Sequence, residues 1–446
     1  MSTTTQSGNG HPPTGPALRS LTRRVHYLAG LAIGPFLVVL CLTGLAYAFT
    51  PTINEFVYRD LWTVDVGESA PRPVSEQVAA ALAAVPDAEL TGVEAGEPGR
   101  STAVVLEVPE LAADEERVVY VDPYDNDVLG ELTTVGGRPP AQAWLRELHG
   151  NLLLGTVGRL YAEFAASWLP VVVIGGLVLW IGDRRRRGVR ALFAPALRAG
   201  PMSARLRMVH GALGLWLSVG LLAVSVTGLT WSNYAGSRVD MAIDALDARA
   251  PALRDAPVEL PPVAVRISVD HVLTVAESAG IERPLALTVP SGLDGRFEVA
   301  ETGEGLPIRR DAVAINPYTA EITDRVGWAD YPLPAKLNTL GIQAHSGTLL
   351  GLVNEIVMAL LAIGALVLLT LGYRMWWRRR GFPNVSADVR GPSLVQLEPR
   401  VGVGVALATV AVAWAMPVLG VTLVGFLLLD VAASRSRRTS PISQHR

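Results

Sequence analysis

Four stretches of this chain, roughly 25–49, 164–182, 208–231 and 353–373, are long, apolar and almost free of charge. Each supplies enough helix, at about 1.5 Å per residue, to cross a hydrocarbon layer of about 30 Å. That feature limits the chain to an integral membrane protein, with an α-helical bundle as its core.

Charge is sorted along the sequence in step with these spans. Residues 52–148 hold 19 acidic and 6 basic side chains, and residues 232–344 hold 16 and 10, whereas the remaining linkers, such as "DRRRRGVR" (183–190) and "RMWWRRR" (374–380), are basic. Positive linkers stay in the cytoplasm. The amino terminus, behind Arg23 and Arg24, is therefore expected inside, with both acidic blocks on the extracytoplasmic face. The first apolar run is too long for a cleaved signal and reads as a retained anchor. The resulting order begins with a disordered tail (1–18), helix 1 (19–50) and an outer domain (51–148). An interfacial segment with helix 2 (149–183), a basic loop (184–206), helix 3 (207–232) and a second outer domain (233–344) follow. A second interfacial segment with helix 4 (345–375), a basic loop (376–400), a hydrophobic segment (401–431) and a tail (432–446) complete it. The last hydrophobic segment is either one span or a hairpin turning at Met416-Pro417; the hairpin keeps the arginines at both ends inside. The single cysteine, Cys41, lies in the first span, so the outer blocks have no disulfides, and Cys41 reads as packing.

Each outer block has the pattern of a small α+β unit. "SEQVAAALAAVP" (75–86) is helical in spacing, and "TAVVLEVP", "RVVYVD" and "VLGEL" alternate as strands. "SVDHVLTVAESAG" (268–280) is the matching helix, followed by "LALTVP", "GRFEVAE" and "DAVAINPYTAEITDRV". "YVDPYDNDVLGEL" and "AINPYTAEITDRV" share their turn at an offset of 194, so the outer domains are expected to be duplicates.

The spans repeat as well. "VHYLAGLAIGPFLVVLCLTGL" (25–45) aligns without a gap on "VHGALGLWLSVGLLAVSVTGL" (209–229) at an offset of 184. "HGNLLLG" (149–155) aligns on "HSGTLLG" (345–351) at an offset of 196, which also superposes Gly176 on Gly372 and Trp180 on Trp376. Two tandem copies would each contribute two histidines: His26 and His210 at the cytoplasmic ends of spans one and three, His149 and His345 on the outer side. Two neutral imidazoles can fill both axial positions of a haem iron. The expected sites pair His26 with His210 and His149 with His345. Gly30, Gly34, Gly211 and Gly214 would let a flat macrocycle lie against the backbone, and Arg23, Arg24, Arg205 and Arg207 would pair its propionates. The plainer readings are a histidine in the headgroup layer and glycines that only pack helices. His271 reads as surface or packing, and His11 and His445 belong to the tails.

The order "RRVHYLAGL…TGL", outer domain, "LHGNLLLG…GR", "RMVHGALGLW…TGL", outer domain, "AHSGTLLG" resembles the PepSY-associated transmembrane (PepSY-TM) family over about residues 19–431. The resemblance implies a bacterial inner-membrane protein with PepSY-type outer domains. For the family's siderophore-reducing members it also implies haem b on membrane histidines, here His26, His149, His210 and His345. "VHYLAG" and "VHGALG" lack the basic or aromatic residues the family often carries just after the histidine. The expected activity is transmembrane electron transfer: a cytoplasmic reductase or quinol as donor, one or two bis-His haems, and ferric siderophore as acceptor. Neither G-x-G-x-x-G nor a P-loop is present, so a nucleotide-dependent donor would be a separate protein, and no nucleic-acid partner is expected. The alternative is a PepSY-type ligand-binding or protease-modulating membrane protein without redox activity. A transporter is disfavoured because the spans hold few charges, with Arg159, Glu163 and Glu355 near an interface.

Overall fold

The computed structural model describes residues 14–67, 69–184, 193, 201–379 and 399–439. The first thirteen residues, most of both basic loops and the last seven residues lie outside them, as do the expectations that fall there, including His11 and His445.

Four helices are long and apolar enough to span a membrane: α1 (Thr14–Ala48), α6 (Gly155–Arg184), α7 (Met202–Leu229) and α11 (Leu352–Arg379). α1 starts at Thr14, within the stretch whose composition reads as a tail. The last apolar segment divides at Met416 into α12 (Pro399–Ala415) and α13 (Pro417–Thr439). Pro417 opens α13, where a missing amide hydrogen costs nothing, whereas Pro35 and Pro170 are accommodated inside α1 and α6. Gly420 then lets α13 lie directly against Ala413 of α12.

The chain forms two compact units. The first comprises residues 1–45, 149–242 and 359–446 and is helical. Its core joins Ala29, Ile33 and Leu37 of α1 to Ala165 and Trp168 of α6 and Leu419 of α13. Polar side chains tie neighbouring helices together by their backbones. Ser225 Oγ donates to Ala166 O (2.8 Å), and Tyr373 Oη donates to Leu31 O (2.7 Å). Trp168 Nε1 donates to Thr422 Oγ1 (2.9 Å).

The second unit, residues 46–148 and 243–358, is built on one eight-stranded antiparallel sheet. Its first block supplies α2 (Thr50–Val57), α3 (Arg59–Trp62), α4 (Val74–Ala84), and strands β1 (Glu89–Ala95), β2 (Thr102–Glu107), β3 (Glu115–Val121) and β4 (Val128–Val135). α5 (Pro140–Asn151) then leads to α6, and α8 (Tyr234–Ala245) follows α7. The second block supplies α9 (Val269–Ser278), β5 (Leu285–Thr288), β6 (Phe297–Glu301), β7 (Ala312–Ile315), β8 (Ile322–Val326) and α10 (Leu333–Ser346). The strand order is β4-β3-β2-β1-β5-β6-β7-β8, so the blocks join along β1 and β5, where Val93 faces Leu287 and Ala95 faces Leu285. The sequence patterns resolve two separate units and pass over β1; the shared sheet is a finding of the structure. Alternation places Val104, Leu106, Val119, Val121, Leu285, Leu287, Val299 and Val313 on one face, beneath Val74, Val78 and Ala81 of α4 and Leu273 and Ala276 of α9.

The two β3–β4 and β7–β8 turns agree in detail. Asp122 Oδ1 accepts from Tyr124 N (2.8 Å), as Asn316 Oδ1 does from Tyr318 N (2.9 Å). Asp122 N donates to Asp127 O and Asn316 N to Glu321 O, both at 2.8 Å. Each turn places one non-glycine residue in the left-handed region, Asn126 at φ 69° and Ala320 at φ 61°. Asparagine tolerates that conformation better than alanine does. Ala320→Asn should therefore stabilise the second unit by about 0.5–1 kcal/mol, read as a rise in denaturation midpoint. Leu287→Ala, at the seam of the sheet, should cost about 2–5 kcal/mol in the same measurement.

Candidate functional site

Within the helical unit, α1 and α7 bring His26 and His210 together, their ring centroids 6.2 Å apart and their planes at 72°. Each ring is tethered to a different neighbour. His26 Nδ1 lies 2.8 Å from Val172 O on α6, and His210 Nδ1 lies 3.1 Å from Leu368 O on α11. A carbonyl oxygen only accepts, so each Nδ1 carries the proton and each ring is the Nε2-lone-pair tautomer. The two acceptors are 196 residues apart and the two histidines 184, the same offsets that align the spans. The arrangement therefore presents two oriented imidazoles, each with its metal-binding nitrogen uncommitted to any hydrogen bond among the described residues.

Glycines make room for these rings. A Cβ at Gly176 would stand 3.1 Å from His26 Cε1, one at Gly175 3.4 Å from His26 Cβ, and one at Gly372 3.9 Å from His210 Cε1. The glycines expected beside a macrocycle divide otherwise. Gly34 is occupied by the ring of Tyr373, whose Oη would lie 2.6 Å from a Cβ there, and Gly211 by the ring of Trp180. These two serve close helix packing. Gly30 faces open space. Gly176 and Gly372 were visible as a matched pair at the 196 offset, but their contact with the histidines was not. Among the arginines expected near propionates, Arg24 is buried, and Arg23, Arg205 and Arg207 are exposed.

His149 sits in the last turn of α5, ahead of α6 rather than on it. Its Nδ1 lies 3.0 Å from Thr43 Oγ1, and that hydroxyl donates to Val39 O (3.0 Å). Thr43 thus accepts from Nδ1, which selects the same tautomer as in the inner pair. A Cβ at Gly44 would lie 3.0 Å from His149 Cε1, so the Thr-Gly pair 43–44 braces a histidine as well as a helix. After α5 the chain turns sharply through Leu152 (φ 54°) and Leu153 (φ 58°). His345 occupies the last turn of α10 in the sheet-containing unit, where Gly347 at φ 92° ends the helix. Beside it Gln343 Oε1 accepts from Gly305 N (3.0 Å), and Asn354 Nδ2 donates to Ala344 O (2.8 Å). His271 is exposed near the start of α9.

The carboxylates at the span ends are structural. Glu163 is buried and accepts from Tyr234 N (3.1 Å) and Ala235 N (2.9 Å), which caps the first turn of α8. Glu355 is buried too and accepts from Thr52 Oγ1 (2.7 Å). Among the described residues no group of three or more His, Cys, Asp or Glu is placed to hold a bare metal ion.

Residues 23–379 match the family model for the PepSY-associated TM region. The chain belongs to the PepSY-associated TM family. Comparison with curated proteins finds no match. As a PepSY-associated TM protein with four apolar spanning helices, it is a multi-pass membrane protein. The matched region begins at Arg23 and ends at Arg379, so it takes in all four histidines.

The ring contacts separate the glycines by experiment. Gly176→Val should cost about 1–3 kcal/mol by crowding His26, whereas Gly30→Ala should be neutral or slightly stabilising. Thermal unfolding of both variants in the same detergent checks the contrast.

Proposed function

We propose that this protein is a haem-containing electron carrier of the bacterial cytoplasmic membrane that reduces ferric siderophore on the extracytoplasmic side. The observation that carries the reading is the His26–His210 pair, 6.2 Å between centroids with both Nδ1 atoms tied to backbone carbonyls. Two neutral imidazoles this close could both donate to one metal ion. A metal held by only two protein ligands needs its remaining donors from another source, and a porphyrin supplies four. The two donors therefore fit the group, while the room expected for it at Gly34 and Gly211 is taken by Tyr373 and Trp180. His26 and His210 would hold one haem b; His149 and His345 are candidates for a second from the sequence repeat alone. When bound, haem supplies reversible one-electron chemistry at iron.

The protein's own part is to orient and partly to cover the rings. The bonds to Val172 O and Leu368 O fix ring rotation and tautomer and raise the basicity of Nε2. The flanking helices leave both imidazoles only partly exposed. The charge pattern supports an amino terminus in the cytoplasm and an extracytoplasmic sheet-containing unit. The offsets of 184, 194 and 196 support an origin in two tandem copies, which gives each histidine of one copy a counterpart in the other. Donor electrons would come from a cytoplasmic reductase or from quinol. Ferrous iron is held less tightly than ferric by the hard oxygen donors of a siderophore, so reduction favours release.

Absorption spectra of the purified protein, before and after dithionite, test the proposal. The expected result is a low-spin b-type spectrum that sharpens on reduction. His26→Ala or His210→Ala should each remove one haem equivalent, and His149→Ala or His345→Ala the other. A colourless, folded preparation from haem-replete cells rejects the carrier reading. Full haem content in all four variants rejects the ligand assignment.

A further inference from the structure

The sheet-containing unit has a cleft of about 330 Å³ that electron transfer does not use. It opens where the start of α4, the β1–β2 connection and one side of α9 meet. Pro71, Pro73, Pro98, Pro123 and the ring of Tyr124 form apolar walls, a volume and lining suited to a small organic molecule.

Gln77 also lines the cleft, and its side chain is 1% exposed. Its Nε2 donates to Arg72 O at 2.9 Å, while Oε1 has no hydrogen-bond partner. α4 buries Gln77, Val78 and Ala81, and α9 buries Val272, Leu273 and Ala276, the same spacing. Gln77 thus stands where α9 has Val272, which is 0% exposed. Valine would pack there without a polar atom to satisfy. A buried acceptor without a donor is a standing cost that folded proteins rarely carry unless something completes it.

The charges of the cleft are balanced: Arg72, Arg100 and Arg283 against Glu97, Asp270 and Glu277. All six have partners within the fold: Arg283 Nε donates to Glu277 Oε1 (3.0 Å), Arg72 Nε donates to Tyr124 O (3.1 Å), and Glu97 lies 3.8 Å from Arg309. Arg100 makes a two-pronged pair with Glu55 (2.6 and 3.0 Å), and Asp270 accepts from Ser75 N (3.1 Å) and from its hydroxyl. Arg72 and Arg283 nonetheless stay 51% and 39% exposed at the rim, and Glu97 62% exposed, each open to a ligand beside its present partner.

We propose that this cleft binds a small zwitterion with an apolar side chain, either a free α-amino acid or a short peptide. The ammonium donates to Gln77 Oε1 with Glu97 as its counter-charge. Arg72 and Arg283 hold the carboxylate, and the proline–tyrosine walls take the side chain.

Isothermal titration calorimetry on the full-length protein in detergent tests this, with leucine, leucyl-leucine and N-acetyl-leucine amide as probes. The expected result is saturable binding of at least one zwitterion and none of the blocked amide. Leucine binding alone identifies a free amino acid, and leucyl-leucine alone a peptide. Gln77→Val should weaken binding about tenfold while raising the melting temperature of the ligand-free protein. Arg283→Gln, at the rim, should weaken binding similarly without that rise. Absence of binding by both zwitterions, equal binding of the blocked amide, or undiminished binding by both variants overturns the proposal.

Discussion

Hydrocarbon offers no partner to a hydrogen-bonding group, so every polar atom carried into the bilayer must be satisfied by the protein itself. That constraint organises the helical unit. Imidazoles at His26 and His210, hydroxyls at Ser225 and Tyr373 and the indole of Trp168 each reach a group on a neighbouring helix. Four of these five bonds end on backbone carbonyls, which hold fixed positions along their helices. The same bonds that satisfy the histidines therefore set their rotation, and rotation decides which nitrogen can serve a metal. Packing glycines complete the arrangement: Gly175, Gly176 and Gly372 leave space beside the rings, while Gly34 and Gly211 are filled by Tyr373 and Trp180.

The sheet-containing unit follows a different logic, that of alternation. One face of the six central strands carries Val, Leu, Ile and Phe beneath α4 and α9. Each block alone would leave β1 or β5 as an open edge; pairing Val93 with Leu287 and Ala95 with Leu285 closes both at once. On α4, Gln77 is a buried polar residue beside this core, and with Val74 and Leu273 it lines a cleft. Local departure from an otherwise consistent pattern is where function is to be sought.

Much of this is legible in the sequence. The spans, the helix-and-strand order of each block and the turns at Asp122 and Asn316 follow from apolar run length, alternation and Asx-turn chemistry, all local properties of the chain. The sequence leaves the break at Met416-Pro417 open between a span and a hairpin, because proline alone does not decide it: Pro35 and Pro170 lie inside the continuous helices α1 and α6. β1 escaped because "ELTGVEA" mixes glycine, threonine and two glutamates with only one strong strand former, and its partner β5 is nearly 200 residues away. At the candidate site the histidines stood out by repetition, whereas the carbonyls that orient them leave no mark on side-chain identity. Thr43, which braces His149, looked like part of a packing motif because hydroxyl–imidazole contacts depend on how helices rotate.

By itself, the sequence determined that the chain is a membrane protein with four spanning helices and two α+β blocks, and which four histidines recur in it, since these depend on composition, period and internal repetition. Tertiary structure alone decided that the blocks share one sheet, that His26 meets His210 with both Nδ1 atoms committed, and that Gln77 lies buried beside a cleft. Each of these is a relation between segments far apart in the chain, where distance and rotation, not residue type, determine which atoms touch.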